Sequence, residues 1–375
     1  MWILTVVIAW LVLLLFWGGF WRADQRLKSS PEPEIWPDVV IVIPARDEAD
    51  TIAEVVRAHQ RTDYPGSAYV IVVDDCSSDD TASLAREAGA DVVRAAPLEP
   101  GWSGKLWALN SGLQHADRTR PDAEWVLLTD ADILHASATL RALVAKGLAK
   151  GLSMVSLMAR LDTRGSWAGL LIPAFVFFFQ KLYPFPWVNR PGHWCAAAAG
   201  GCVLVRRKVL GTIGGIAGIR SALIDDCTLA AKIKHTPPGR SIWLGLADHE
   251  AVSWRDNQSF GSIWTMVTRT AFTQLHHSSW LLVGAVAGMV FLYLTPPFLA
   301  LWGSATRDLA MTACGFAAWG LMAVAFAPTA RLYGQLPWRG LLLPLAAGIY
   351  ASMTVGSAIA HWRGRGGQWK GRTYG

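Results

Sequence analysis

From residue 38 to residue 129 short runs of Val, Ile and Leu alternate with polar stretches of helical period. Asp38–Pro44 reads as a strand buried on both faces, and Ala68–Val73, Asp91–Arg94 and Glu124–Thr129 read as further strands. Between them the pattern predicts a helix reaching Gln60, a helix over Ala82–Ala88 that stops at Gly89, and a helix over Lys105–His115. Ser77-Ser78-Asp79-Asp80-Thr81 supplies capping side chains just before the second helix. Strands that alternate with helices predict a parallel, doubly wound sheet, with the strand ends on one edge. Further on, residues 137–150 predict a helix capped by Ser137 and closed by Gly151. Met154–Met158 and Cys202–Val205 predict strands, and Ser221 precedes another helix. Over Ser259–Leu275 the residues Phe260, Ile263, Trp264, Val267, Ala271 and Leu275 share one helical face, suited to packing or to lying on a bilayer.

The apolar excess lies at the two ends. Hydrophobic residues make up 52% of 375 and charged ones 17%, too apolar a balance for an ordinary soluble enzyme. Met1–Phe20 is uncharged and long enough to cross a bilayer, and Arg22, Arg26 and Lys28 follow it. This predicts an uncleaved anchor with its following segment in the cytoplasm. Trp280–Trp302, Leu309–Ala327 and Gly340–Ala360 are three more candidate crossings. Three crossings would carry the basic tail outside, against the positive-inside tendency. The segment with Pro296-Pro297 is therefore the suspect for a re-entrant or interfacial course. Gly169–Phe179 is apolar but too short to span, so a core helix and an interfacial one both remain open. The expected organisation is an anchor (1–21), a Pro-rich linker (22–37), a catalytic domain (38–258), an interfacial helix (259–279), transmembrane segments (280–361) and a basic tail (362–375).

The net charge of +6 arises from Lys and Arg spread along the chain, which suits anionic headgroups. No basic run interleaved with aromatics points to nucleic acid. The five cysteines form no Cys-x-x-Cys pair, and reduced thiols are expected. His249-Glu250 lacks a second His four positions after the first, which removes a zinc-peptidase reading.

Three acidic clusters need a common explanation: Asp74-Asp75, Asp130/Asp132 and Asp225-Asp226. The first two sit where predicted strands break into loops, where ligands bind in open α/β sheets. Two hard oxygen ligands at such an edge suit Mg²⁺ or Mn²⁺ carried on a diphosphate. Taken singly, each cluster also fits a turn or a helix cap. Together with Gly-flanked Lys105 and a membrane-side apolar surface, they favour chemistry.

These residues resemble the inverting family-2 glycosyltransferases of the GT-A fold over roughly residues 38–275. The likeness rests on Val-Ile-Pro-Ala-Arg-Asp-Glu (42–48), Val-Asp-Asp-Cys-Ser-Ser-Asp-Asp-Thr (73–81), Gly-Lys-Leu-Trp-Ala-Leu-Asn-Ser-Gly (104–112), Asp-Ala-Asp (130–132), Gly-Gly-Cys (200–202) and Asp-Asp (225–226). Leu171–Phe175 and Ala196–Gly201 look closest to membrane-bound hopanoid-biosynthesis-associated members, with ceramide glucosyltransferases more distant. The resemblance implies a mostly parallel, Rossmann-like catalytic domain. It implies that Pro44, Ala45 and Glu48 line the nucleotide site, that Asp75 contacts the base, and that Lys105 and Asn110 lie near the donor. It further implies Asp130 near the ribose or sugar and on the metal with Asp132, and Asp226 as general base supported by Asp225. Where many relatives carry Gln/Arg-x-x-Arg-Trp, this chain keeps the Arg alone, as Arg269, a candidate diphosphate clamp.

The expected activity is thus a multi-pass enzyme of a bacterial inner membrane whose cytoplasmic domain moves a sugar from a UDP-linked donor to a lipid. A hopanoid is the implied acceptor and polyprenyl phosphate its rival. A nucleotidyltransferase has no need of Asp225-Asp226. A catalytically inactive scaffold would hydrolyse no donor.

Overall fold

The computed structural model describes residues 3–364, together with the backbone of 368–369 and 372–373. The rest of the basic tail, including Arg365 and Lys370, lies outside the described residues.

The chain opens with α1 (Leu4–Phe16), a helix of 13 residues. At about 1.5 Å per residue this helix by itself is shorter than a bilayer core, where residues 1–21 are expected as one crossing. The break is local: Gly18 and Gly19 take φ of 62° and 61°, and Gly18 sits against Pro184 and Trp187. The α/β part then runs β1 (Val39–Ala45), α2 (Ile52–Gln60), β2 (Ala68–Asp74), α3 (Thr81–Glu87), β3 (Asp91–Arg94), α4 (Gly104–Thr119), β4 (Trp125–Thr129), β5 (Ile133–His135), α5 (Thr139–Ala149) and β6 (Met154–Met158). It continues with α6 (Ser166–Leu182), α7 (Phe185–Val188), β7 (Cys202–Arg206), α8 (Arg207–Thr212), α9 (Asp225–His235), β8 (Ile242–Leu246) and β9 (Ala251–Ser253). Ser137 does not cap α5, whose first flanking residue is Ala138; its carbonyl instead accepts from Asp63 N and Thr62 Oγ1.

Seven strands form one sheet in the order β3-β2-β1-β4-β7-β6-β8. All neighbours are parallel except β7, which runs against both β4 and β6. The apolar runs are continuous because both faces are covered. Val40 and Val42 pack into one core and Val39, Ile41 and Ile43 into the other. Helix α4 presses so close to the sheet that a Cβ on Gly112 would lie 2.5 Å from Val42 and 2.7 Å from Val73. Between β1 and β4 the chain order reverses, and a crevice opens beyond the carboxyl ends there. Because β7 is reversed, with Cys202 opposite Thr129, its entrance at Gly200-Gly201 falls on that same edge. A second, two-stranded sheet pairs β5 with β9 beside the crevice.

The stretch expected as one helix over 259–275 is two, α10 (Phe260–Thr268) and α11 (Ala271–Gln274). They are followed by α12 (Ser279–Met289), a π-helical turn over Val290–Leu294, α13 (Thr295–Thr306), α14 (Leu309–Leu332) and α15 (Leu343–Trp362). Two short tail strands, β10 (Gln368–Trp369) and β11 (Arg372–Thr373), pair antiparallel. Among the described residues three helical paths are long and apolar enough to cross a membrane: Ser279–Thr306, Leu309–Leu332 and Pro337–Trp362. Pro296-Pro297 does not fold the first back. It sits at the start of α13, where the missing N–H groups cost least, and the π turn absorbs the mismatch. The last path is the most buried of the three: half of its apolar window is buried in protein, against 17% for the first. Tyr350 donates to Leu171 O on α6, and Gly356 packs on Trp264 of α10.

Candidate active site

Ser103 caps α4 by accepting from Leu106 N, which fixes Lys105 in the first turn. A cation there opposes the helix dipole, so it needs anions close by. Two provide them: Lys105 Nζ lies 2.7 Å from Asp130 Oδ1 and 3.4 Å from Asp225 Oδ2. Burial works against the ammonium, yet Asp130 and then Asp225 outweigh it and hold Lys105 above the ordinary lysine value. One side chain thus ties the end of β4 to the start of α9.

The Asp226 carboxylate is aimed by two backbone donors, Gly200 N at 2.8 Å to Oδ2 and Cys227 N at 2.7 Å to Oδ1. The close approach of Gly200 follows from the reversed β7. Withdrawal from water, with the neighbouring Asp225 adding to it, pushes Asp226 up to about 6. Asp132 is likewise raised, by burial first; Arg255 opposes the rise and Asp130 adds to it.

Pro44, Glu48, Ser103, Lys105, Asp130, Ala131, Asp132, Ala222, Leu223, Asp225, Arg255 and Arg269 line a cleft of about 680 Å³. Asp226 lines an adjoining pocket of about 330 Å³ that shares Lys105, Asp130 and Asp225 with it. Pro44, Glu48, Lys105, Asp130, Asp132, Asp225, Asp226 and Arg269 are therefore brought together.

Three expected residues are not. Asp75 is 1% exposed and turned to Arg46, whose Nη1 is 3.6 Å from Asp75 Oδ2, so it lines neither space. Ala45 is buried in the sheet, its carbonyl accepting from Asp75 N. Asn110 lies five residues beyond Lys105 on α4, about 140° round the helix, and faces away from the cleft lining. In the other direction, Arg255 escaped the sequence reading. It reaches Asp132 through the β5–β9 pairing of two three-residue strands, which leave no periodic signal.

Among the described residues no group of three or more His, Cys, Asp or Glu is placed to cage a metal ion. Asp130 and Asp132 still fit a hard divalent cation that arrives on a diphosphate, because such ions are commonly held by one or two carboxylates plus phosphate oxygens. Chemically, the arrangement offers carboxylate oxygens and cations for a charged leaving group, and a carboxylate near neutrality for a proton.

The family described as "Glycosyltransferase like family 2" matches residues 37–275. Among similar proteins, a 4,4'-diaponeurosporenoate glycosyltransferase of Staphylococcus aureus is 35% identical over 132 residues, covering 35% of this chain and 33% of that one. A UDP-forming cellulose synthase catalytic subunit of Pseudomonas fluorescens is 28% identical over 247 residues, 60% of this chain and 30% of that one. The chain thus spans about a third of the length of these relatives. A mannosyltransferase from Pyrobaculum calidifontis, solved with GDP-Man and Mn²⁺, superposes with a TM-score of 0.51 at 20% identity, over 97% of this chain and 98% of that one. That likeness extends the common fold through the C-terminal helices.

Proposed function

The chain belongs to the family-2-like glycosyltransferases, and on that premise we propose that it is a membrane-bound, inverting enzyme that moves a hexosyl group from a UDP-sugar to a lipid acceptor. The observation that carries the proposal is the Lys105 bridge, which gathers Asp130, Asp225 and the flanking Asp132 and Asp226 round one cleft.

In this reading the acceptor hydroxyl oxygen bonds to the anomeric carbon as the bond from that carbon to the diphosphate oxygen breaks. The hydroxyl proton passes to Asp226, whose oxygens Gly200 and Cys227 hold in place. Asp225 keeps Lys105 at hand, and Lys105 and Arg269 meet the departing diphosphate. A divalent cation on Asp130 and Asp132 supplies further charge neutralisation of the leaving group when bound.

A lipid acceptor is favoured by the setting of Arg269. It lines the cleft and also ends α10, which packs on α15. The Staphylococcus aureus relative is named for 4,4'-diaponeurosporenoate, a lipid-like acceptor. A hopanoid or related polycyclic lipid is the acceptor we propose here, in a bacterial inner membrane, with Arg22, Arg26 and Lys28 marking the cytoplasmic side. The test is sugar transfer by the purified protein with Mg²⁺ or Mn²⁺. Transfer to membrane lipid that Asp226→Asn abolishes, with UDP binding retained, supports the reading; intact transfer in that variant refutes it.

A further inference from the structure

Asp132 carries Arg255 as an ion-pair partner, Nε to Oδ2 at 3.0 Å. The fold builds this contact. Ile133, next after Asp132, stands opposite Ser253 in the β5–β9 ladder. Trp254 N donates to the main-chain oxygen of Asp132 at 2.8 Å, and Arg255 N donates to Ser253 Oγ at 3.3 Å. Trp254 is thereby clamped to Asp132, just before β5, and Arg255 to the end of β9.

The two partners differ in exposure: the Asp132 side chain is 8% exposed and that of Arg255 42%. Arg255 consequently reaches Asp132 from the cleft side, along a wall it shares with Glu48, Asp130, Lys105 and Arg269. Its guanidinium stays charged at any working pH, so no proton loss removes it from Asp132. Any other cation must displace it. A guanidinium also matches phosphate oxygens with two parallel donors, whereas Lys offers a point charge.

We propose that Arg255 is a partner-exchanging positioning residue, resting on Asp132 while the cleft is empty and moving to the diphosphate oxygens when a nucleoside diphosphate brings a divalent cation. This rests on the cleft being the nucleotide-sugar site. Its consequence is an order of binding: the donor-free protein takes the metal poorly, and nucleotide and metal enter together.

The experiment titrates the full-length protein in detergent with Mn²⁺ alone, read by electron paramagnetic resonance, and with UDP plus Mg²⁺, read by calorimetry. Arg255→Gln removes the competing charge. Donor-free Mn²⁺ affinity should rise about tenfold or more, while UDP affinity falls by a similar factor. Arg255→Lys keeps a cation against Asp132 and is the variant of choice if Arg255→Gln does not fold. It should leave donor-free Mn²⁺ affinity at the wild-type level and still lose about tenfold in UDP affinity. Unchanged Mn²⁺ affinity in folded Arg255→Gln, or unchanged UDP affinity in Arg255→Lys, overturns the exchange. Failure of the wild type to bind UDP at all would instead overturn the nucleotide-sugar reading on which it rests.

Discussion

The central strands and the C-terminal helices are equally apolar in sequence and opposite in fate. Every residue of β1 and β4 is buried, shut between two layers of protein. In the helices beyond Ser279, large apolar side chains face outward, among them Trp280 at 87% and Leu309 at 83% exposed. Hydropathy records the avoidance of water in both regions. Protein replaces water around the strands, while the outward faces of the helices are long and apolar enough to sit in a membrane. The regions meet where the Ser357 hydroxyl of α15 bridges the α10/α11 break, donating to Thr268 O and accepting from Phe272 N at 3.0 Å. Arg269 lies within that break, so the membrane module borders the cleft at a residue proposed to hold diphosphate.

The largest expected effect lies on the catalytic side. Asp226→Asn should cut transfer by about 10²–10⁴-fold while UDP binding by calorimetry is unchanged, a loss confined to chemistry. A paired substitution then separates the two kinds of apolar residue. Ile41→Ala in the sheet should cost about 2–5 kcal/mol in detergent thermal unfolding. Leu301→Ala on the outward face of α13 should stay within about 0.5 kcal/mol. Equal costs would mean that the helices form a second protein core and have no lipid-facing surface.

The Asp226 carboxyl titrates near 6, and its ionised form is the base, so transfer should fall about tenfold per unit as pH drops below that value. For stability the sign is opposite. A carboxyl raised above its unfolded value favours the folded state at low pH, and that contribution is lost as pH rises through about 6. Asp226→Asn should therefore unfold at a higher temperature than the wild type above pH 6, with the gap closing toward pH 4. The smallest effect is at the junction. Ser357→Ala should lower stability by about 1 kcal/mol, and Ser357→Thr should restore part of it.

Sequence patterning reached the regular parts of this molecule and missed the connections between distant ones. Asp91–Arg94 and Met154–Met158 form strands with the boundaries that their apolar patterns predict. Asp130 and Asp132 reach the cleft because parallel strands must end on one edge, and Lys105 ties Asp225, in the first turn of α9, to Asp130 there. Asp75 stands apart from the cleft lining for a finer reason: its place at a strand end was legible, but the direction of its side chain depends on Arg46, which no period encodes. The reversal of β7 was equally hidden, since an antiparallel strand inside a buried sheet has the same composition as its parallel neighbours. The break at Arg269-Thr270 contains neither Gly nor Pro. Ser357, far along the chain, supplies the hydrogen bonds that the interrupted helix lacks.

The central claim is that one cleft, drawn together by Lys105 and bordered by membrane helices, glycosylates a lipid. Its most direct test is mass spectrometry of lipids after the purified protein is incubated with bacterial membranes, UDP-sugars and Mn²⁺. The account predicts a lipid species heavier by one glycosyl unit with the wild type and none with Asp226→Asn. Sugar transferred only to water-soluble acceptors, with the lipids unchanged, would contradict it.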